Sequence, residues 1–338
     1  MNITEIARLA GVSKTAVSRY FNGGYLSAEK RAAIAAVVEQ TGYLPSQQAR
    51  TLRTRRTRQV GVVMPRLSSE STARVVDGIS LALADKGYQL LLANTANDPA
   101  REVEYLDTFR RSGVDGVLFL ASIFTPEHRA VLQSMHLPVV IIAQKYEGYS
   151  CVYHDDYGAA RAVTGLLLRR GSKRPVYIGV TARDHAAGYA RHQGYLDALK
   201  AAGRPPRAED MFLAQFTMES GYRQARAMLD AGRRPDGIFC ATDTIAVGAM
   251  QACREAGLTV GRDVLVAGIG DSAIGRVAAV PLTSAHLHYK TSGQEAAQLL
   301  LNLMRRQGAG TRAIQLGFEV VERQSTAAVL GAQPGPEI

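Results

Sequence analysis

At 338 residues with 46% hydrophobic side chains, the chain can bury a large core and divide into two or three domains. Of its formal charge of +10, residues 1–60 carry +7, from ten Lys/Arg against three Glu, so any phosphate-binding surface is expected at that end. Cys151, Cys240 and Cys253 lie far apart without C-x-x-C spacing, which argues against a disulfide framework or zinc site, and no segment reads as a membrane span or signal-peptide core, so a cytoplasmic protein is expected.

The chain opens on "NITEIARLAGVSKTAVSRYFNGGYLS". Ile6, Leu9, Ala10 and Val12, then Ala16, Val17 and Phe21, recur at helical spacing on either side of Gly11. Thr4 and Ser13 are expected to cap two helices, with Gly11 in a turn between them. A third helix is expected over 27–41, apolar at Ile34, Val37 and Val38. Three short helices led by a helix-turn-helix suit a headpiece that reads DNA, and the basic charge coincides with it rather than forming only a solvated face.

The segment "YLPSQQARTLRTRRTRQ" that follows is polar and basic and reads as a linker. Buried-type strands and amphipathic helices then alternate. Strands are expected at 60–64, 88–95, 116–122 and 138–143, then at 175–180, 212–216, 237–243 and 264–270, and later at 282–287 and 313–322. Helices are expected near 71–86, 100–112, 126–135, 157–170, 186–201, 219–231, 243–256 and 290–306. Two consecutive α/β halves imply two lobes with a cleft, and ligands of such sheets sit beyond the carboxyl ends of the strands. The tail "GAQPGPEI" is loop-like.

The head "TEIARLAGVSKTAVSRYFNG", the segment "GYLPSQQARTL" and the later "CATDTIAVGAMQACREAGLTVGRDVLVAGIGD" and "PLTSAHLHY" together resemble the LacI/GalR family of bacterial transcription regulators. The resemblance runs through essentially the whole chain. It implies an α/β protein with an all-α helix-turn-helix headpiece at 1–44, a hinge at 45–59, a two-lobed, Rossmann-like parallel-sheet effector domain of periplasmic-binding-protein type at 60–330, and a tail at 331–338. It also implies a non-enzymatic, sugar-responsive repressor that binds double-stranded operator DNA as a homodimer, without cofactor or metal. Lys14, Thr15 and Arg19 match the positions that reach base edges, and Ser13, Ser18 and Asn22 fit phosphate contacts. In the hinge, Ala49 and Leu52 match the positions that enter the minor groove, Leu52 as an apolar wedge. Ala16 stands where the family has threonine, which leaves the operator sequence open.

The same resemblance places the effector between the lobes. Arg191 matches the family's ligand-gripping arginine, whose planar fork suits hydroxyls or a carboxylate, and Phe216 its stacking aromatic. Thr242 and Asp243 stand where most members have asparagine and aspartate; Gly270 replaces an aspartate, and Asp271 follows one residue later as a substitute contact. Arg66, after the first strand and before a serine-rich helix start, reads as an anion seat that Gln144 and Lys145 could approach. With "VYHDDYGAA", "ARHQGYL" and "CATDT", this pattern resembles the trehalose-operon and sucrose-operon repressors of the family. It implies a phosphorylated disaccharide such as trehalose 6-phosphate or sucrose 6-phosphate. The alternatives are an unphosphorylated sugar, with Arg66 in a structural salt bridge, and co-repressor or activator behaviour. The cluster His154, Asp155, Asp156 at a strand end reads as a hydrogen-bonded loop or hydroxyl acceptor rather than a metal site. "GIGDSAIG" lacks dinucleotide spacing, and no P-loop, nucleophile elbow or Cys/His pair favours an enzyme. A stand-alone sugar-binding protein would not need residues 1–59.

Overall fold

Asn2 begins the first helix, Ile3–Leu9, with a reciprocal cap. Its side chain accepts from the amides of Thr4 and Glu5 at 2.9 and 3.1 Å, and Glu5 accepts from the Asn2 amide at 2.8 Å. The cap expected at Thr4 is thus supplied two residues earlier, because Asn2 and Glu5 stand three apart. Gly11 makes the turn at φ +63°, and Ser13 caps helix Lys14–Phe21 by accepting from the Ala16 amide at 3.2 Å. Ser27 caps helix Ala28–Thr41. Ile6, Ala7, Ala16, Val17 and Ile34 form the core of this bundle, whereas Leu9, expected on its apolar face, is 48% exposed.

This computed structural model describes residues 1–43, 56–305 and 310–327. Ala49 and Leu52 lie outside the described residues. The chain divides into two units, Met1–Arg58 and Gln59–Ile338.

The second unit contains two six-stranded sheets. The first lobe is built from β1 (Gln59–Met64), β2 (Gln89–Asn94), β3 (Gly116–Leu120), β4 (Val139–Ile142) and β5 (Ser150–His154). The second is built from β6 (Pro175–Gly179), β7 (Met211–Leu213), β8 (Gly237–Cys240), β9 (Leu265–Ile269) and β10 (Thr283–Leu287). The segment read as one strand at 313–322 is two, β11 (Ala313–Leu316) and β12 (Phe318–Val321), and each joins a different sheet. β11 lies parallel to β5, and β12 antiparallel to β10. Strand order is β11-β5-β4-β3-β1-β2 in one sheet and β12-β10-β9-β8-β6-β7 in the other.

The lobes are therefore not two consecutive halves. Helix Tyr289–Arg305 follows β10 of the second sheet but buries Ala296, Ala297 and Leu300 against the first lobe's Val60, Leu118 and Val140. The chain crosses between lobes at three places: after His154, after Leu287 and at Gly317. Backbone-close helix pairs clamp each lobe. A Cβ on Gly78 would meet the Lys290 carbonyl at 2.0 Å, and one on Gly293 the Val75 carbonyl at 2.0 Å; Gly221 and Gly248 play the same part opposite Ile245 and Met218. All strands but β12 run parallel within their sheets, so their carboxyl ends gather at one side of each sheet, and the residues that follow them line a common cleft.

Candidate effector cleft and DNA-reading face

In the headpiece, Lys14, Thr15, Ser18, Arg19 and Asn22 lie on helix Lys14–Phe21 or at its C-cap, one and four residues apart, on the side opposite buried Ala16 and Val17. Ser13, Lys14, Thr15, Arg19 and Asn22 are exposed and Ser18 is half-buried. The Asn22 side chain donates through Nδ2 to the Ser18 carbonyl at 2.5 Å, and its backbone N–H to the Arg19 carbonyl at 3.2 Å, closing the end of this helix.

Between the lobes is a cleft of about 1120 Å³ counted out to its open mouth. Arg66, Gln144, Arg191, Phe216, Thr242 and Asp243 all line it. Lys145 and Asp271 do not. The strand's alternation ends at Ala143, which takes a φ of +76°, so Ile142, Ala143 and Gln144 all line the cleft, Gln144 only 3% exposed, while Lys145 lies at the surface. Asp271 takes a φ of +46°, and its carboxylate is engaged by Arg323 at 2.6 Å and His286 at 3.0 Å, away from the cleft. Phe216 lies past the short strand β7 rather than ending it.

Arg191 is only 5% exposed, with Nε and Nη2 on one oxygen of Asp156 at 2.8 and 2.7 Å and Nη1 donating to the Ala241 carbonyl. Burial works against its charge, but the carboxylate of Asp156 and the phenol of Tyr289 outweigh it, so its pKa is raised. The expectation of a gripping arginine meets a guanidinium already tied into the floor. Asp243 is tied as well: it accepts from Ser284 Oγ at 2.6 Å and the Ser272 amide at 2.7 Å, while burial raises its pKa. Thr242 caps helix Asp243–Glu255 by accepting from the Ile245 amide at 3.3 Å.

Arg66 is different. Its Nη1 donates to the Phe216 carbonyl of the opposite lobe at 2.6 Å, and its guanidinium lies 4.9 Å from the Phe216 ring centroid. Its Nε is buried without a hydrogen-bond partner, burial lowers its pKa, and no carboxylate pairs with it among the described residues. The structural salt bridge considered for Arg66 is not formed among the described residues. Beside it, Ser69 caps helix Glu70–Ala84 without a side-chain hydrogen bond to the helix amides.

Several lining residues escaped sequence reasoning. Asp184 follows β6, caps the π-helix His185–Ala190 by accepting from Ala186 and Ala187 at 3.0 and 2.9 Å, and faces Gln144 Nε2 at 3.4 Å. Burial pushes its carboxyl up to about 6, against those amide hydrogen bonds and Arg191. The rule that ligands lie beyond strand ends could have found it. Glu70 and Arg74, one helical turn apart, also bridge the lobes: Glu70 accepts from the Ala273 amide at 2.9 Å, and Arg74 donates to the Gly270 carbonyl at 3.1 Å. No metal-binding cluster occurs among the described residues, and none of their helices is long and apolar enough to cross a membrane.

A helix-turn-helix unit joined to a two-lobed, cleft-bearing unit is the organisation of a ligand-responsive DNA-binding regulator. Residues 2–46 match the family model of bacterial regulatory proteins, lacI family, and residues 164–326 match the periplasmic binding protein-like domain. The sucrose operon repressor of Staphylococcus xylosus is 34% identical over 246 residues, spanning 73% of this chain and 76% of that protein. The HTH-type transcriptional repressor PurR of Photorhabdus laumondii subsp. laumondii is 30% identical over 333 residues, 96% of each. Among solved structures, the transcriptional regulator CelR–cellobiose complex superposes with a TM-score of 0.74 at 28% identity, over 96% of this chain and 99% of that one. The lac repressor dimer bound to operator and the anti-inducer ONPF superposes at 0.89 with 22% identity, over 97% and 99%, a likeness of fold. The chain belongs to the lacI family of bacterial regulatory proteins: it is a DNA-binding transcriptional repressor and not an enzyme.

Proposed function

We propose that this repressor controls a carbohydrate-utilisation operon and is released from its operator by a phosphorylated disaccharide, such as trehalose 6-phosphate or sucrose 6-phosphate. Arg66 carries the reading. A half-buried guanidinium with no carboxylate partner, beside a helix start rich in serine, is suited to a dianionic group. The likeness to a sucrose operon repressor supports the sugar class. In this account the chain acts as a homodimer on a near-palindromic operator. Ser13, Lys14, Thr15, Ser18, Arg19 and Asn22 meet the major groove and its phosphates, and Ala49 and Leu52 meet the minor groove. Phe216 stacks on the sugar, and Arg191, held flat by Asp156, presents its edge to hydroxyls. In the same proposal the chain is divided into a headpiece at 1–44, a hinge at 45–59, an effector unit at 60–330 and a tail at 331–338.

An unphosphorylated disaccharide is the second reading. It is favoured by Glu70, whose carboxylate stands in the same lining as Arg66, and by the cellobiose complex of the related regulator CelR. A thermal-shift screen of trehalose, sucrose and their 6-phosphates separates the two, since a ligand of the folded state raises its melting temperature. The phosphorylated sugars should give the larger shift, and Arg66→Ala should remove that difference, weakening the phosphosugar by about tenfold to a hundredfold. Equal shifts for the plain and phosphorylated sugars in the wild type would overturn the phosphate assignment.

A further inference from the structure

His154 ends β5, where the chain first crosses between the lobes, and it lines the cleft at 5% exposure. Around it lie the other two crossings. His288 and Tyr289 belong to the second, the Tyr289 ring meeting His154 edge-on at 5.1 Å between centroids. Leu316, at the third, pairs with His154 across the sheet and accepts from the Asp155 amide at 2.9 Å. Asp156, two residues on, carries Arg191. The imidazole therefore sits at the pivot of the two lobes and at the floor of the cleft.

Its two ring nitrogens are not equivalent. Nε2 is buried and finds no partner among the described groups, whereas the His288 backbone carbonyl raises the ring's pKa, as an acceptor facing an N–H does. With Nε2 unpartnered, the nitrogen that serves that carbonyl is Nδ1, the tautomer that the first arm of the test reads. Burial first, with Arg191 and His288 adding to it, lowers the His154 pKa against the pull of Asp156 and the carbonyl, so the ring is neutral at neutral pH. A neutral ring donating through Nδ1 leaves Nε2 as an acceptor only. A buried acceptor without a donor costs free energy that a phenylalanine or leucine at the same place would not incur.

We propose that His154 is a specificity-determining residue of the effector cleft: its Nε2 accepts a hydrogen bond from a hydroxyl of the ligand, at the point where the three interlobe crossings meet. This deepens the carbohydrate reading and rests on it. The ligand class it selects is a polyol oriented with its hydroxyl-bearing end on the floor and any anionic group toward Arg66. A carbonyl, ether oxygen or carboxylate at the floor would face a lone pair and be rejected. Because the contact is made at the crossings themselves, filling it bears directly on the angle between the lobes.

The test has two arms, both on the full chain. In the first, nitrogen NMR of protein labelled at its histidines assigns the His154 ring by the signals lost in His154→Gln. The Nδ1–H tautomer, neutral at pH 7, is expected; an Nε2–H tautomer or a protonated ring would overturn the proposal whatever the effector proves to be. In the second, calorimetry with trehalose, sucrose and their 6-phosphates compares wild type, His154→Phe and His154→Gln. For the sugars that bind, His154→Phe should lower affinity by about tenfold without lowering the melting temperature, and His154→Gln, which keeps an acceptor, should recover part of the loss. Wild-type affinity in His154→Phe would overturn the assignment. If none of the four binds the wild type, the carbohydrate reading fails on its own, and His154 is judged by the tautomer. If His154→Phe does not fold, the comparison of His154→Gln with wild type and the tautomer decide.

Discussion

Replacing Arg191 with alanine should destabilise the second unit by about 3–5 kcal/mol, because it strands Asp156, itself 4% exposed, as an unpaired buried carboxylate. Chemical denaturation monitored by far-ultraviolet circular dichroism measures this directly. Effector response should vanish as well, but in the single variant that loss is entangled with the stability loss. The double variant Asp156→Leu/Arg191→Met removes both charges and fills similar space, so it should recover most of the stability while remaining unresponsive to ligand. If Arg191→Ala unfolds at the wild-type midpoint, the pair is not the floor-building element described here. If the double variant still responds, Arg191 is not part of the effector contact.

Arg19→Ala is expected to have a comparably large effect on DNA. Arg19 is exposed on helix Lys14–Phe21 and contributes nothing to the bundle core of Ile6, Val17 and Ile34, so the headpiece should fold unchanged. A guanidinium bidentate on guanine is worth about 1–3 kcal/mol of discrimination. Selection of duplexes by the wild-type protein from a random library supplies an operator. On it Arg19→Ala should bind about tenfold to a hundredfold more weakly in anisotropy titrations and tolerate substitution at one base pair. Affinity for unrelated duplex should change much less, since that depends on the summed basic charge and on salt. An unchanged selected sequence would remove Arg19 from base reading.

Local patterns carried the headpiece. Apolar spacing around Gly11 and the serine cap at Ser13 are short-range signals, and the structure keeps both except at Leu9, which is exposed. Where two caps competed, Asn2 won over Thr4 because Glu5 could answer it. The alternation of buried strands and helices made the two-lobed α/β class legible, since strands covered on both faces are apolar throughout. Which sheet a strand joins is not a local property. Helix Tyr289–Arg305 and strand Ala313–Leu316 return to the first lobe because their partners, Gly78 and Ser150–His154, are far away in sequence.

The cleft was legible in the same partial way. Arg66 and Gln144 closely follow strand ends, and the rule for open sheets found them, while Thr242 was found through the family resemblance. Lys145 and Asp271 satisfied the rule in sequence but failed it in orientation, Lys145 lying at the surface beyond the left-handed Ala143 and Asp271 taking a left-handed backbone that gives its carboxylate to Arg323. Asp184 also follows a strand end and was open to the same rule, whereas the partners that tie Arg191 and Asp243 down depend on tertiary neighbours, and no spacing announces them. That distinction changes the chemistry: the arginine expected to be free for the ligand is held by Asp156, and Arg66, without a carboxylate partner among the described residues, is tied only to the Phe216 carbonyl and ring and keeps its Nε unpartnered.

In the proposed regulation, filling this cleft alters the affinity of the headpiece for its operator. The most direct measurement is anisotropy of a labelled operator duplex titrated with the full chain, at fixed salt, with and without the sugar phosphate that gives the largest thermal shift. Saturating ligand should weaken operator binding by at least about tenfold, and operator should weaken ligand binding by the same factor, as linkage requires. An operator affinity that stays the same at saturating ligand would contradict the account.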